Sequence, residues 1–178
     1  MSKLIYGDRI GADARLAPGA AAIIFDENRE KVLLTQRSDN GRWCLPGGGM
    51  DPGESASEAC IRETMEETGL EVRVTRLVGI YTSPDLIIEY ADGNRWQPVA
   101  MTFEAEVVGG ELRLSDETTD YGYFLVDRLD GTSLGEDSRR GENLTLCNHQ
   151  VNVSNYGHRL DLLADPGRGT GDGGGVVS

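Results

Sequence analysis

Apolar positions in this chain come mostly in short runs separated by turn-forming clusters, and one stretch has a helical period instead. Residues 20–25 (AAAIIF) and 31–36 (KVLLTQ) flank the turn-rich DENRE and read as a strand hairpin. Trp43, Cys44 and Leu45 form a short apolar run ahead of Pro46 and three glycines. Residues 72–82 and 86–90 read as strands, a turn over 91–94 leads into a long run over 99–108, and 121–126 reads as a further strand. Residues 1–17 form a lead-in arm ahead of Pro18-Gly19. Beyond 130 the pattern weakens. Residues 131–145 read as a polar loop, 156–164 (YGHRLDLLA) as a short helix, and 165–178 as a glycine-rich flexible tail. The sum is an α+β chain, a mixed and largely antiparallel sheet with at least one central helix, in a layered α/β/α arrangement.

That helix is the best specified element. Ser55 and Glu58 have the spacing of a capping box, and Gly69 suits the left-handed residue that ends a helix after Thr68. Its C-terminal turns carry Glu63, Glu66 and Glu67, which fall within an arc of roughly 100°. Acids are disfavoured at the negative end of the helix dipole, and Glu63 and Glu67 repel each other at i,i+4. Arg62 offers partial relief to Glu66 and is also spaced to pair with Glu58. Two accounts fit this crowding, a solvated acidic face or a divalent cation held by hard oxygen ligands. Geometry alone leaves both open. The preceding loop, PGGGMDPGE, has four glycines in nine residues, so its backbone can approach a ligand closely, and Glu54 adds a fourth carboxylate. No Gly-Lys-Ser/Thr follows, so it is not a Walker A loop.

Composition narrows the partners. The formal charge of −13, from 30 acidic against 17 basic residues, argues against sequence-independent binding to duplex nucleic acid and against docking on anionic membrane. A small anionic substrate is not excluded, since a local cation or metal reverses the field at a site. Three cysteines (Cys44, Cys60, Cys147) without CxxC spacing read as reduced thiols packing as small hydrophobes. With no apolar run suited to a signal peptide or a membrane span, the expected compartment is the cytoplasm.

The segment Gly48-x5-Glu54-x7-Arg62-Glu63-Thr64-x-Glu66-Glu67-x-Gly69-Leu70 resembles the Nudix box, the signature of the Nudix hydrolases, with every charged and glycine position present. Thr64 stands where that pattern prefers an aliphatic residue. RWCLPGG (residues 42–48) also resembles the usual lead-in strand. The resemblance covers residues 18–130. It implies an α/β/α sandwich and a pyrophosphohydrolase that cleaves a diphosphate bond in a nucleoside diphosphate linked to another moiety, with Mg²⁺ or Mn²⁺ as cofactor. ADP-ribose, nucleotide sugars, nucleoside triphosphates and dinucleoside polyphosphates all stay open as substrates. Carried over position by position, Glu66 and Glu67 bind the metal, Glu63 is a further ligand or the base for the attacking water, and the Gly47 carbonyl completes the site. Arg62 orients the carboxylates and Glu54 supports the loop. A catalytically silent nucleotide-binding or sensor module of the same fold is the alternative, and it ranks lower because the box acids are kept.

Outside the box, Glu117 is the favoured extra ligand or base, with Asp120 next. Arg37 is the candidate phosphate contact. Trp43 and Tyr81, with Tyr90 and Trp96, are candidates to stack on a base or sugar. Pro84 lies roughly where ADP-ribose-cleaving members of the family carry a proline. His149 and His158 are isolated and read as structural or exposed. Dimers are common in the family, which leaves a homodimer open.

Overall fold

The computed structural model describes residues 3–126. In chain order these form β1 (Lys3–Tyr6), a 3-10 turn (Ile10–Asp13), β2 (Arg15–Ile23), β3 (Lys31–Arg37), β4 (Trp43–Cys44), β5 (Gly47–Gly49), α1 (Ala56–Thr68), β6 (Leu70–Thr82), β7 (Leu86–Glu89), β8 (Arg95–Gly110) and β9 (Thr118–Leu125). The larger sheet has the order β1-β7-β8-β2-β5, with β6 also paired to β8, and a smaller sheet has the order β4-β3-β9. All pairings are antiparallel except β2 with β8. The expected helix over 156–164, the loop over 131–145 and the tail lie outside the described residues.

The expected hairpin forms only at its tip. Asp26 N–H donates to the Lys31 carbonyl and Leu33 N–H to that of Ile24, both at 2.9 Å. The strands then part, β2 joining β8 and β5 while β3 joins β4 and β9. The turn is pinned where it departs: Arg29, with a left-handed φ of 58°, lies over the Phe25 ring and bonds Glu104 at 2.9 Å. The divergence explains why these strands are apolar on both faces. Ala20, Ala22, Ile24 and Leu33 pack with Ala59 and Cys60 of α1 in one core cluster. Ala21, Ile23, Val32 and Leu34 face the other way and pack with Trp43 and Leu45.

The lead-in segment is part of the larger sheet. β1 pairs with β7 along its whole length, and Gly11 N–H donates to the Pro84 carbonyl at 2.8 Å. Of the cysteines expected as thiols, Cys60 is free and buried, and Cys147 lies outside the described residues. Among the described residues no helix is long and apolar enough to cross a membrane.

Candidate active site

Both ends of α1 are fixed as its residues dictate. The Ser55 hydroxyl accepts from Glu58 N–H at 3.3 Å, and Ser55 N–H donates to the Glu58 carboxylate at 2.7 Å. Gly69 ends the helix at φ 73°. The buried face carries Ala59, Cys60, Thr64, Glu67 and Thr68. Thr64 is tolerated there because its hydroxyl donates to the Cys60 carbonyl at 2.7 Å, leaving its methyl group to pack.

Arg62 is the hub of the exposed face. It grips Glu54 with two bonds, Nε at 3.1 Å and Nη2 at 2.7 Å, and donates to the Gly49 carbonyl at 2.9 Å. Its remaining amino group reaches Glu63 at 2.8 Å and Glu66 at 3.0 Å. Hydrogen bonds donated to Glu54 and then to Glu63 hold the guanidinium pKa above its usual value, and the bond from Arg62 draws the Glu54 carboxyl down.

The three helix acids therefore do not behave alike. Glu66 is 59% exposed and points to Arg62, while Glu63 is 14% exposed. Glu67 is 5% exposed, and its carboxylate accepts from Gly47 N–H at 3.1 Å and the Thr35 hydroxyl at 3.4 Å. Burial is the main reason the Glu67 carboxyl is pushed up to about 7. The Gly47 N–H and Arg37 oppose this shift, and the charges of Glu63 and Glu117 add to it. Glu63 is also raised, by burial first, with Arg62 opposing and Glu66 and Glu117 reinforcing. Among the described residues no three carboxylate, His or Cys side chains already converge as a ligand set, because Arg62 stands between Glu63 and Glu66. The donor chemistry nevertheless fits a divalent cation. Glu67 and Glu63 are hard oxygen donors kept from water, and burial and neighbouring acids hold both pKa values up.

These carboxylates line a cleft of about 900 Å³ with Gly47, Gly48, Gly49, Arg62 and Glu117. Gly47 has to be glycine, since a Cβ there would lie 2.5 Å from the Ala21 Cα. Of the other expected site residues, Arg37 lines the cleft but is held by Asp39 at 3.0 Å. Trp43 is buried edge-on to Phe124, with ring centroids 4.8 Å apart, and belongs to the core. Tyr81, Asp120 and Pro84 are not among the lining residues, whereas Tyr90 is. Three contributors escaped the sequence reading. Arg42 and Asn40 line the cleft beside Arg37, and Thr35 binds Glu67. A polar residue inside the apolar run KVLLTQR was the one available signal for Thr35; Arg42 and Asn40 depended on how the two sheets meet.

The model of the NUDIX domain matches residues 15–144. An ADP-ribose pyrophosphatase from Methanocaldococcus jannaschii is 36% identical over 64% of this chain and 66% of its own length, so the chain spans a little under two thirds of that relative. A nucleoside triphosphatase, NudI, from Escherichia coli is 31% identical over 58% of this chain and 79% of its own. The crystal structure of a MutT protein from Methanosarcina mazei aligns with a TM-score of 0.60 at 24% identity, over 85% of this chain and 96% of that one, a likeness of fold.

Proposed function

This chain belongs to the NUDIX domain family, and from that premise we propose that it hydrolyses a diphosphate bond in a nucleoside diphosphate linked to a second moiety, with Mg²⁺ or Mn²⁺ as cofactor. The observation that carries this reading is the buried Glu67 carboxylate, held beside Glu63 at the wall of an open cleft. The names of the relatives, an ADP-ribose pyrophosphatase and a nucleoside triphosphatase, support a nucleotide-type substrate.

Glu63, Glu66 and Glu67 with the Gly47 carbonyl would hold the metal, competing with Arg62 for Glu63 and Glu66. Bound there, a divalent cation neutralises phosphate oxygens that otherwise repel a nucleophile. The chain's own contribution is positioning. Arg62, anchored to Glu54 and Gly49, fixes where Glu63 and Glu66 can lie. Glu63, with its carboxyl above the usual range, is suited to take a proton from the attacking water, and Glu117 is the second candidate for that role. Water attacks phosphorus directly, since no side chain of the box resembles an activated nucleophile.

The test is a panel of nucleoside diphosphate derivatives and triphosphates incubated with Mg²⁺ and, in parallel, with excess chelator. Release of a nucleoside monophosphate only in the metal arm is the expected result. No release from any member of the panel would refute the proposal.

A further inference from the structure

Glu117, the cleft acid outside α1, stands on the segment between β8 and β9, and that segment is fastened to the end of the helix. A helix leaves its last carbonyls without intrahelical partners. Here Arg113 N–H donates to the Thr68 carbonyl at 2.9 Å, and the Thr118 hydroxyl donates to the Glu67 carbonyl at 3.3 Å. Thr118 is buried at the start of β9, paired with Arg37 of β3. A valine has the same shape and would fill that space, so the bonds of the hydroxyl are what distinguish threonine there.

The same hydroxyl organises the turn that carries Glu117. With its proton given to Glu67, the Thr118 oxygen accepts from Ser115 N–H at 3.0 Å and from the Ser115 hydroxyl at 3.1 Å. The Ser115 oxygen in turn accepts from Glu117 N–H at 3.2 Å. On the other side, Ser38 N–H donates to the Glu117 carbonyl at 2.9 Å and the Ser38 hydroxyl to the Asp116 carbonyl at 3.3 Å. Both backbone polar groups of Glu117 are therefore bonded, and the residue lines the cleft with Glu63 and Glu67. Its charge adds to the upward shift of both helix acids. Thr118 joins this turn to the backbone of one of them.

We propose that Thr118 is a positioning residue: its hydroxyl fastens the loop bearing Glu117 to the end of the helix bearing Glu67, so that the loop acid keeps a fixed spacing from the helix acids. The role rests on the function proposed above, in which Glu117 is a candidate base, and adds the residue through which its place is set. Glu67 keeps its own place without Thr118, because its carboxylate is held by Gly47 N–H and the Thr35 hydroxyl. Loss of the Thr118 hydroxyl therefore moves Glu117 and spares the helix acids. The competing account is that Thr118 only closes the buried end of α1.

Thr118→Val, Thr118→Ser and Glu117→Gln test it, the first also combined with the third. Thr118→Val is expected to lower kcat about 10–100-fold with KM within about twofold, as a misplaced group that does not bind substrate would. Thr118→Ser, which keeps the hydroxyl, should restore kcat. In a Glu117→Gln background, Thr118→Val should cost less than about twofold more, because the acid it positions is already lost. Amide hydrogen exchange reads the clamp in the metal-free protein without turnover. In Thr118→Val the Ser38 amide, bonded to the Glu117 carbonyl, should exchange about tenfold faster, as the loss of one supporting hydrogen bond allows. Amides in the middle of α1 should stay protected. Should Thr118→Val fail to fold, Ser115→Ala, which frees the Glu117 amide within the same turn, is expected to give the same pattern. If Ser38 exchange quickens while the wild type hydrolyses nothing, the clamp stands and the hydrolase reading falls. Unchanged exchange at Ser38, or unchanged kcat in an active protein, would overturn the proposal. So would a loss of kcat as large with Glu117→Gln as without it, since Thr118 would then serve the helix end alone.

Discussion

The Glu63 carboxylate occupies the space in which a side chain at Gly48 would begin: a Cβ added there would lie 2.6 Å from the Glu63 carboxyl carbon. Gly48 leaves room for an acid that comes from a helix, and its conformation at φ is ordinary for any residue. Gly48→Ala should therefore fold and still displace Glu63. We expect turnover to fall by about 10–100-fold, the scale of a misplaced catalytic group, with a melting temperature close to wild type. Steady-state kinetics beside a thermal melt checks this, and unchanged turnover would show that Glu63 is not needed where it stands.

Glu67→Gln should separate stability from activity. In the metal-free protein the folded carboxyl titrates at about 7 against an ordinary 4.5, so between those values the folded state binds more protons than the unfolded chain. Its contribution is full below 4.5 and is lost as pH rises through 7, by an amount on the order of a few kcal/mol. The amide cannot ionise, and its oxygen can still accept from Gly47 N–H and Thr35. Denaturant melts in chelator are expected to show the variant more stable than wild type at pH 8 and level with it near pH 4.5. Turnover with Mg²⁺ should be abolished.

Arg62→Lys tests positioning by a planar cation. An ammonium group cannot grip Glu54 with two parallel bonds while also reaching Gly49, Glu63 and Glu66. Loss of such a supporting contact costs about 10–100-fold in metal affinity or activity. A titration of rate against Mg²⁺ concentration distinguishes the two: a shifted midpoint reports affinity, a lowered plateau reports orientation of the base.

Ser55→Ala addresses the helix without touching the acids. Loss of the cap is expected to cost about 1 kcal/mol of stability. Glu58 is held below the usual carboxylate range first by Ser55 N–H and then by the Ser55 hydroxyl. That contribution is present above the ordinary carboxylate pKa and is lost as pH falls through the lowered folded value. The gap between wild type and variant should therefore narrow in acid, which denaturation at pH 7 and pH 3 would reveal.

Local signals determined a large part of this protein. Ser55, Glu58 and Gly69 specify the limits of α1, because capping and a left-handed terminus act within a few residues. Residues 20–25 and 31–36 were legible as strands but not as members of two sheets. The hairpin signal in DENRE is local, whereas the partners β8 and β9 lie far along the chain. The spacing of Glu63, Glu66 and Glu67 marked them as one cluster. Tertiary packing divides them, since Glu67 turns inward to Gly47 and Thr35 while Arg62 retains the other two. Trp43 was a candidate for stacking until the second sheet placed Phe124 against it. Leu4 and Ile88, 84 residues apart in the chain, reach the cleft only because β1 pairs with β7. Helix periodicity and capping are short-range and survive in the bare sequence. Burial, register and the shape of a cleft arise between residues distant in the chain, and they exist only once the sheets have closed.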